Sequence, residues 1–373
     1  MKHVHWKQQL NYKLFGKEPG SGYRPFLDIL RVIATLFVVA IHTVSYAASL
    51  TERASTSYRV LTLFVFTFVS CNLLFVMISG ALLLPIRHES AGAFYRKRLL
   101  KVAVPLVVYY VLYVCAKNGV AATLAPAKLP GLFVGILSGA PAEAPHFWLI
   151  YVIMFLYLIT PLLRWFLGHI PDNVCRGLII AIFVTNAVSC YVPLLGIALP
   201  VLHRVTETYA GVYVLGYYLA KGNSRRKNAF FLAAGALSYL LTATLIFCTS
   251  NYENYIYGNA PTMMFYAAGL FVLAKVLTEK NPPAQPTEYR TPCWLFVRLV
   301  SRYSYSVLLI HWGVLHVLVK QILRVNVLGG GIWGGCAVMF AQTFLFSLAG
   351  AVFLDNTLFW AIGRIGRKRT DKN

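Results

Sequence analysis

Acidic side chains are scarce in this chain. Asp and Glu together number 12 of 373 residues, against 34 Lys and Arg, and all charged residues make up only 12%. A soluble domain of this length would carry about 25%. The shortage, with 58% hydrophobic residues and a mean hydropathy of +0.64, excludes an ordinary water-soluble fold and points to a polytopic membrane protein. Cysteine is also sparse. The seven residues (71, 115, 175, 190, 248, 293 and 336) are odd in number and scattered, with no Cys-x-x-Cys pair. They imply no disulfide framework and no metal site, and they read as small apolar residues. No internal repeat and no low-complexity tract is evident. A cleavable leader is not expected, because the polar, basic first 25 residues hold no short apolar core followed by a small-residue cleavage site.

What is abundant is positive charge. The formal net charge of +22 would suit a nucleic-acid partner, but its distribution argues against one. Ten apolar segments are long enough, or nearly so, to cross a bilayer: 26–48, 60–84, 99–116, 146–167, 177–198, 208–220, 229–248, 261–278, 303–320 and 332–354. If residue 1 is cytoplasmic, the inner segments hold 24 of the 34 Lys and Arg, the outer loops 7, and Arg31, Lys275 and Arg302 lie in or at the edge of spans. That asymmetry follows the positive-inside rule. The expected fold is all-α, with about ten transmembrane helices and both termini cytoplasmic. A basic tail (1–25) precedes the membrane domain (26–363), and a second basic tail (364–373) follows it. The charge then serves topology and lipid headgroups.

The first span carries the sharpest signal. It reads FLDILRVIATLFVVAIHTVSYAA and contains both Arg31 and His42. Eleven residues at about 100° each return within about 20° of three full turns, so both side chains share one face, separated by ~16 Å along the axis. Ionisable groups inside a membrane are costly, and they usually line a buried path. Thr35, Ser45 and Ser49 extend this face as a polar stripe, and Asp28, three residues before Arg31, is placed to pair with it. His42 suits a general base toward a hydroxyl attacking an acyl carbonyl, or a transient acyl carrier, and both remain open. No strand-turn-helix serine or cysteine motif supports a catalytic triad. Arg31 suits a phosphate clamp.

Further candidates are spread along the chain. FYRKRLLKVAVP (94–105) opens the third span with Arg96, Lys97, Arg98 and Lys101. Arg98 and Lys101 share a helical face, and such a cluster suits a polyanion as well as it suits topology. His146 and Trp148 stand at the outer mouth of the fourth span, and His311 lies within the ninth. Ser79-Gly80 suits close helix packing. The loop 117–145 contains LPGLFVGILSG, too short to span and expected at the interface or re-entrant. NYENYIYGNAP (251–261) suits headgroup anchoring or sugar stacking. His316, Glu253 and Asp355 take no assigned role.

In their order, LDILRVIATLFVVAIH, FVMISGALLL (75–84), FYRKRLLK, HFWLIYVIMFLYLITPLL (146–163) and SRYSYSVLLIHW (301–312) resemble the acyltransferase-3 superfamily of membrane acyltransferases. Arg31 and His42 match its Arg-x10-His motif. Its cytoplasmic Arg-x-x-Arg stands here as Arg98-x-x-Lys101, and lysine keeps the charge without the bidentate fork. The resemblance implies transfer of an acyl group, usually acetyl, from cytoplasmic acyl-CoA to a hydroxyl of a cell-surface carbohydrate or lipid-linked precursor. It implies Arg31, Arg98 and Lys101 as donor-binding residues and His42 as the catalytic residue. His146, Trp148 and His311 suit contact with an acceptor and suit helix packing or anchoring equally well, and no metal is expected. Acyl-CoA, a glycan or lipid-linked sugar and membrane lipids are the expected partners, in an inner or plasma membrane. Some relatives carry a fused extracytoplasmic domain. Here the expectation is direct transfer or a separate extracytoplasmic partner, as in the stand-alone bacterial surface-polysaccharide O-acetyltransferases. A transporter of a glycan intermediate is the alternative. It would show inverted repeats and broken helices near the midplane.

Overall fold

The structure is a computed structural model. It describes residues 11–16, 20, 22–86, 89–123, 125–137, 139, 143–222, 224–249, 253–256, 258–280 and 289–361. The tail 364–373, much of 1–25 and part of 251–261 therefore lie outside the described residues. Among those described there is helix and no strand, and the protein is an all-α, multi-pass membrane protein. Among the described residues nine helices are long and apolar enough to cross a bilayer: α1 (Pro25–Ser49), α2 (Thr56–Leu83), α3 (Ala91–Asn118), α4 (Pro145–His169), α5 (Asp172–Leu195), α7 (Arg225–Cys248), α8 (Pro261–Lys280), α9 (Pro292–Ile322) and α10 (Ile332–Ala361). The sixth expected span is the exception. Its helix, α6, runs only Ala210–Ala220, or ~16 Å at 1.5 Å per residue. A shorter helix, Pro200–Thr206, precedes it, and Tyr209 between them sits in the left-handed region at φ 59°.

The ends of these helices are fixed by side chains, because lipid supplies no partner for free backbone groups. Ser55, Ser90 and Ser224 accept hydrogen bonds from Tyr58, Ala93 and Lys227 backbone N–H groups and start α2, α3 and α7. Lys275, which the sequence places inside a span, is 1% exposed and donates to the Leu219 and Gly222 carbonyls. It closes the end of α6. Arg59 does the same for α7 at the other end of the bundle, donating to the Ile246 and Phe247 carbonyls. Arg164 ties three elements together: it donates to the Leu83 carbonyl that ends α2, pairs with Glu89 at 3.0 Å, and lies over the Phe94 ring of α3. The Arg164 hydrogen bond holds the Glu89 carboxyl below the usual range.

The segment Pro126–Leu137, expected at the interface, is a short helix whose Leu129, Phe133, Val134 and Leu137 are all exposed.

Helix α1 is the centre of the bundle and packs against α2, α8, α9 and α10. Helix α6 packs on the second half of α2 at backbone distance. A Cβ on Gly80 would lie 1.9 Å from the Tyr213 carbonyl oxygen, and one on Gly216 would lie 2.1 Å from that of Met77. The small residue at Gly80 therefore permits close helix packing. Gly80→Val should separate α2 from α6. The expected result is loss of monodisperse protein on detergent size exclusion, while Gly177→Ala, with open space at its Cβ position, elutes as wild type.

Candidate active site

Two cavities lie along α1, one toward each end. The first, of about 660 Å³, is lined by Arg31 with Asp28 from α1, by Arg98 and Lys101 from α3, and by Arg298 and Arg302 from α9. Among the described residues that line it are five cations and one carboxylate, and Asp355 of α10 lies close enough to act electrostatically on Lys101 and Arg302. Phe75, Ile78 and Ser79 of α2, Ile153 and Tyr157 of α4, and Tyr23 and Tyr305 complete its walls. Arg31, Arg98 and Lys101, singled out in the sequence, all line this one cavity. Arg298 and Arg302 were missed, although α9 carries Ser301, Ser304, Leu308 and His311 at helical spacing, a pattern that identifies the face turned toward α1.

Asp28 organises this cavity. It accepts hydrogen bonds from Arg31 at 2.7 Å, Tyr23 at 2.5 Å and Ser301 at 2.6 Å. Arg31 also reaches the Ser301 hydroxyl at 3.4 Å. The guanidinium is thus held inward rather than extended to headgroups. Burial and the Asp28 carboxylate push the Tyr23 hydroxyl far above the usual phenol range, so it remains a donor at neutral pH. Arg98 differs: its Nε is buried with no hydrogen-bond partner among the described residues.

The second cavity, of about 250 Å³, is lined by His42, His146, Trp148 and His311 with Asn72, Leu149, Tyr209 and Gly258 among others. All four sequence candidates for this end are therefore brought together. The His42 and His311 rings stack with centroids 5.1 Å apart, and His146 meets His311 edge-on at 5.0 Å. Trp312, which the sequence reading left out, stands edge-on to His42 at 5.1 Å and stacks on His146 at 5.7 Å.

Two of these rings are locked. The His311 Nδ1 faces the Leu308 and Val307 carbonyls at 2.8 and 3.2 Å, and a carbonyl only accepts, so Nδ1 carries the hydrogen. The His146 Nε2 likewise donates to the Leu309 carbonyl at 3.1 Å. In the neutral rings, His311 Nε2 and His146 Nδ1 are therefore bare acceptors, and both are buried with no hydrogen-bond partner among the described residues. His42 has no hydrogen bond among the described residues. Just beyond Trp312, α9 widens into π-helical turns over Val314–Ile322, a distortion that often marks functional sites.

One expectation fails. Thr35, Ser45 and Ser49 line neither cavity. The Thr35 hydroxyl donates to the Arg31 carbonyl one turn back, and that of Ser49 to Tyr46. Such back-bonding satisfies a hydroxyl without a neighbouring helix. Between Arg31 and His42, Val38 and Ile41 of α1 line the imidazole cavity. Among the residues without an assigned role, Asp355 accepts a hydrogen bond from Ser306 at 2.7 Å, and the His316 ring lies against Trp312, tilted by 42° with centroids 4.1 Å apart. The Glu253 side chain lies outside the described residues.

A helical bundle with a cationic cavity and an imidazole cavity on one central helix belongs to the class of multi-pass membrane proteins with buried polar sites. The acyltransferase-3 family model, described as an acyltransferase domain, matches residues 24–355, and the chain belongs to that family. No curated protein and no solved structure shows significant similarity to it.

The Asp28 cluster generates a stability prediction. Asp28→Asn replaces an acceptor of three hydrogen bonds, one of them from a guanidinium, by a group that also donates. A loss of about 2 kcal/mol is expected, read as a lower thermal midpoint by intrinsic fluorescence in detergent. An unchanged midpoint would remove Asp28 from its organising role.

Proposed function

We propose that the protein transfers a short acyl group, most simply acetyl, from acyl-CoA to a hydroxyl of a cell-envelope carbohydrate or lipid-linked glycan precursor. The observation that carries this reading is the pairing of two unlike cavities on α1, one with five cations and one with three imidazoles, ~16 Å apart along the helix. Family membership supports acyl transfer in general. In this reading Arg31, Arg98 and Lys101 hold the phosphates of the donor, and the pantetheine arm extends toward His42. Both termini and the donor cavity are cytoplasmic, and the protein sits in the inner or plasma membrane.

The chemistry balances simply. His42 removes the proton of the acceptor hydroxyl, and the oxygen forms a bond to the thioester carbonyl carbon. The C–S bond breaks, and the proton returns to the departing thiolate, giving an ester and free coenzyme A. His146 and His311 offer bare nitrogens to neighbouring hydroxyls of a sugar, and Trp148 offers a face to stack on. A separate extracytoplasmic partner is required only if the acceptor is not presented at the His42 end.

Purified protein in nanodiscs with isotope-labelled acetyl-CoA tests this. Release of coenzyme A should fall by at least about 100-fold in His42→Ala, the range of a lost general base, with donor binding kept. Arg31→Ala and Arg98→Gln should mainly weaken donor binding. Normal release in folded His42→Ala would sink the reading. A second reading, export of a glycan intermediate, draws support from the break at Tyr209 beside the outer cavity. It predicts glycan movement without consumption of acyl-CoA, so the same assay separates the two.

A further inference from the structure

Three helices, α2, α4 and α9, contribute side chains to both cavities within one or two turns. On α2, Leu73 lines the imidazole cavity and Phe75 the cationic one. On α4, Leu149 and Ile153 divide in the same way. On α9, Ser304 faces the cationic cavity and His311 the imidazole cavity, and Leu308 between them lines both. The two cavities are therefore separated by a layer that is one side chain thick at Leu308. That side chain is 4% exposed. Its backbone is pinned, because the Leu308 carbonyl accepts from His311 Nδ1 at 2.8 Å, and the next carbonyl, Leu309, takes both Tyr113 and His146. Any opening here comes from the side chain rather than from the helix.

We propose that Leu308 is the gate between the two cavities and sets the size of the acyl group that passes to His42. This inference rests on the acyl-transfer reading. A donor anchored among the cations must carry its thioester past Leu308 before a hydroxyl can attack it. Swinging the leucine between staggered rotamers clears a passage suited to a two-carbon acyl group. A longer chain must displace Leu73, Leu149 or Phe75 as well. When closed, the side chain keeps water in the imidazole cavity from the thioester. If it is trimmed, water replaces the acceptor hydroxyl: its oxygen bonds to the carbonyl carbon, C–S breaks, His42 passes the proton to the thiolate, and a carboxylic acid leaves with free coenzyme A.

The test uses the full-length protein in nanodiscs with labelled acetyl-CoA and butyryl-CoA, measuring donor binding and coenzyme A release separately. Leu308→Ala should raise butyryl turnover relative to acetyl by about tenfold, the scale on which a pocket discriminates methylenes. It should also raise hydrolysis in the absence of acceptor. Leu308→Phe should bind acetyl-CoA as wild type and lose about tenfold in turnover, the same scale for bulk added to a fitted passage. The butyryl-to-acetyl ratio is read within one preparation, so it does not depend on how much of a variant folds. An unchanged ratio and unchanged hydrolysis in Leu308→Ala, with binding intact, would overturn the gate alone. Failure of wild-type protein to bind either donor would overturn the acyl-transfer reading and the gate with it.

Discussion

A guanidinium in the interior of a membrane bundle must be partnered, and the rest of the site follows from how Arg31 meets that demand. A lone buried charge is among the most expensive objects a bilayer protein can hold. Asp28 neutralises it from one turn away, and Ser301 joins both from α9. The link sets the register of two parallel helices. His42 lies eleven residues beyond Arg31, and His311 lies ten beyond Ser301. At 1.5 Å per residue the two imidazoles arrive within about 2 Å of the same depth, where their rings stack. The polar cluster at one end thus aligns the polar cluster at the other, with no contact between them.

The two ends meet the same lipid environment by different chemistry. Toward Arg31 the side chains are cationic, and among the described residues that line this end the cations outnumber the carboxylates, which favours an anionic ligand. Toward His42 the groups are imidazoles, which can be neutral and therefore cost far less to bury. Backbone carbonyls consume one nitrogen of His146 and one of His311. The nitrogens that remain can only accept, so this cavity suits molecules rich in hydroxyl or amine hydrogens. A ligand with phosphates at one end and a reactive group at the other fits this polarity in one orientation only.

Much of this was legible along the chain wherever helical periodicity applied. Arg31 with His42, Asp28 with Arg31, and Arg98 with Lys101 are all pairs within one helix, and a helix brings such pairs together whatever surrounds it. That Arg298 and Arg302 join Arg31 depends on how α9 lies against α1, some 270 residues away in sequence, and no local rule reaches that far. The Thr35 stripe was misread for the opposite reason: a threonine in a helix can satisfy its hydroxyl on its own backbone, so spacing alone does not put it in a cavity. Lys275 read as a charge in a span, and its role in closing α6 becomes clear only once Leu219 and Gly222 are seen beside it.

The short sixth helix is the place where regularity gives way to the site. Pro200–Thr206 and Ala210–Ala220 would make one span if the chain were helical between them. Instead Tyr209 adopts φ 59°, a conformation that costs a residue with a Cβ about 1–2 kcal/mol. Tyr209 is 7% exposed, and its ring lies beside that of Trp148, with centroids 5.8 Å apart. Burying an aromatic ring is worth more than that cost, so the break is stable. It is also directional. A continuous helix would run its backbone past the imidazole cavity, whereas the break turns a tyrosine and its neighbouring tryptophan into the cavity wall. Strain held at a cavity-lining residue, offset by packing around it, is what a protein shows where a wall has been shaped for a ligand rather than for the bundle.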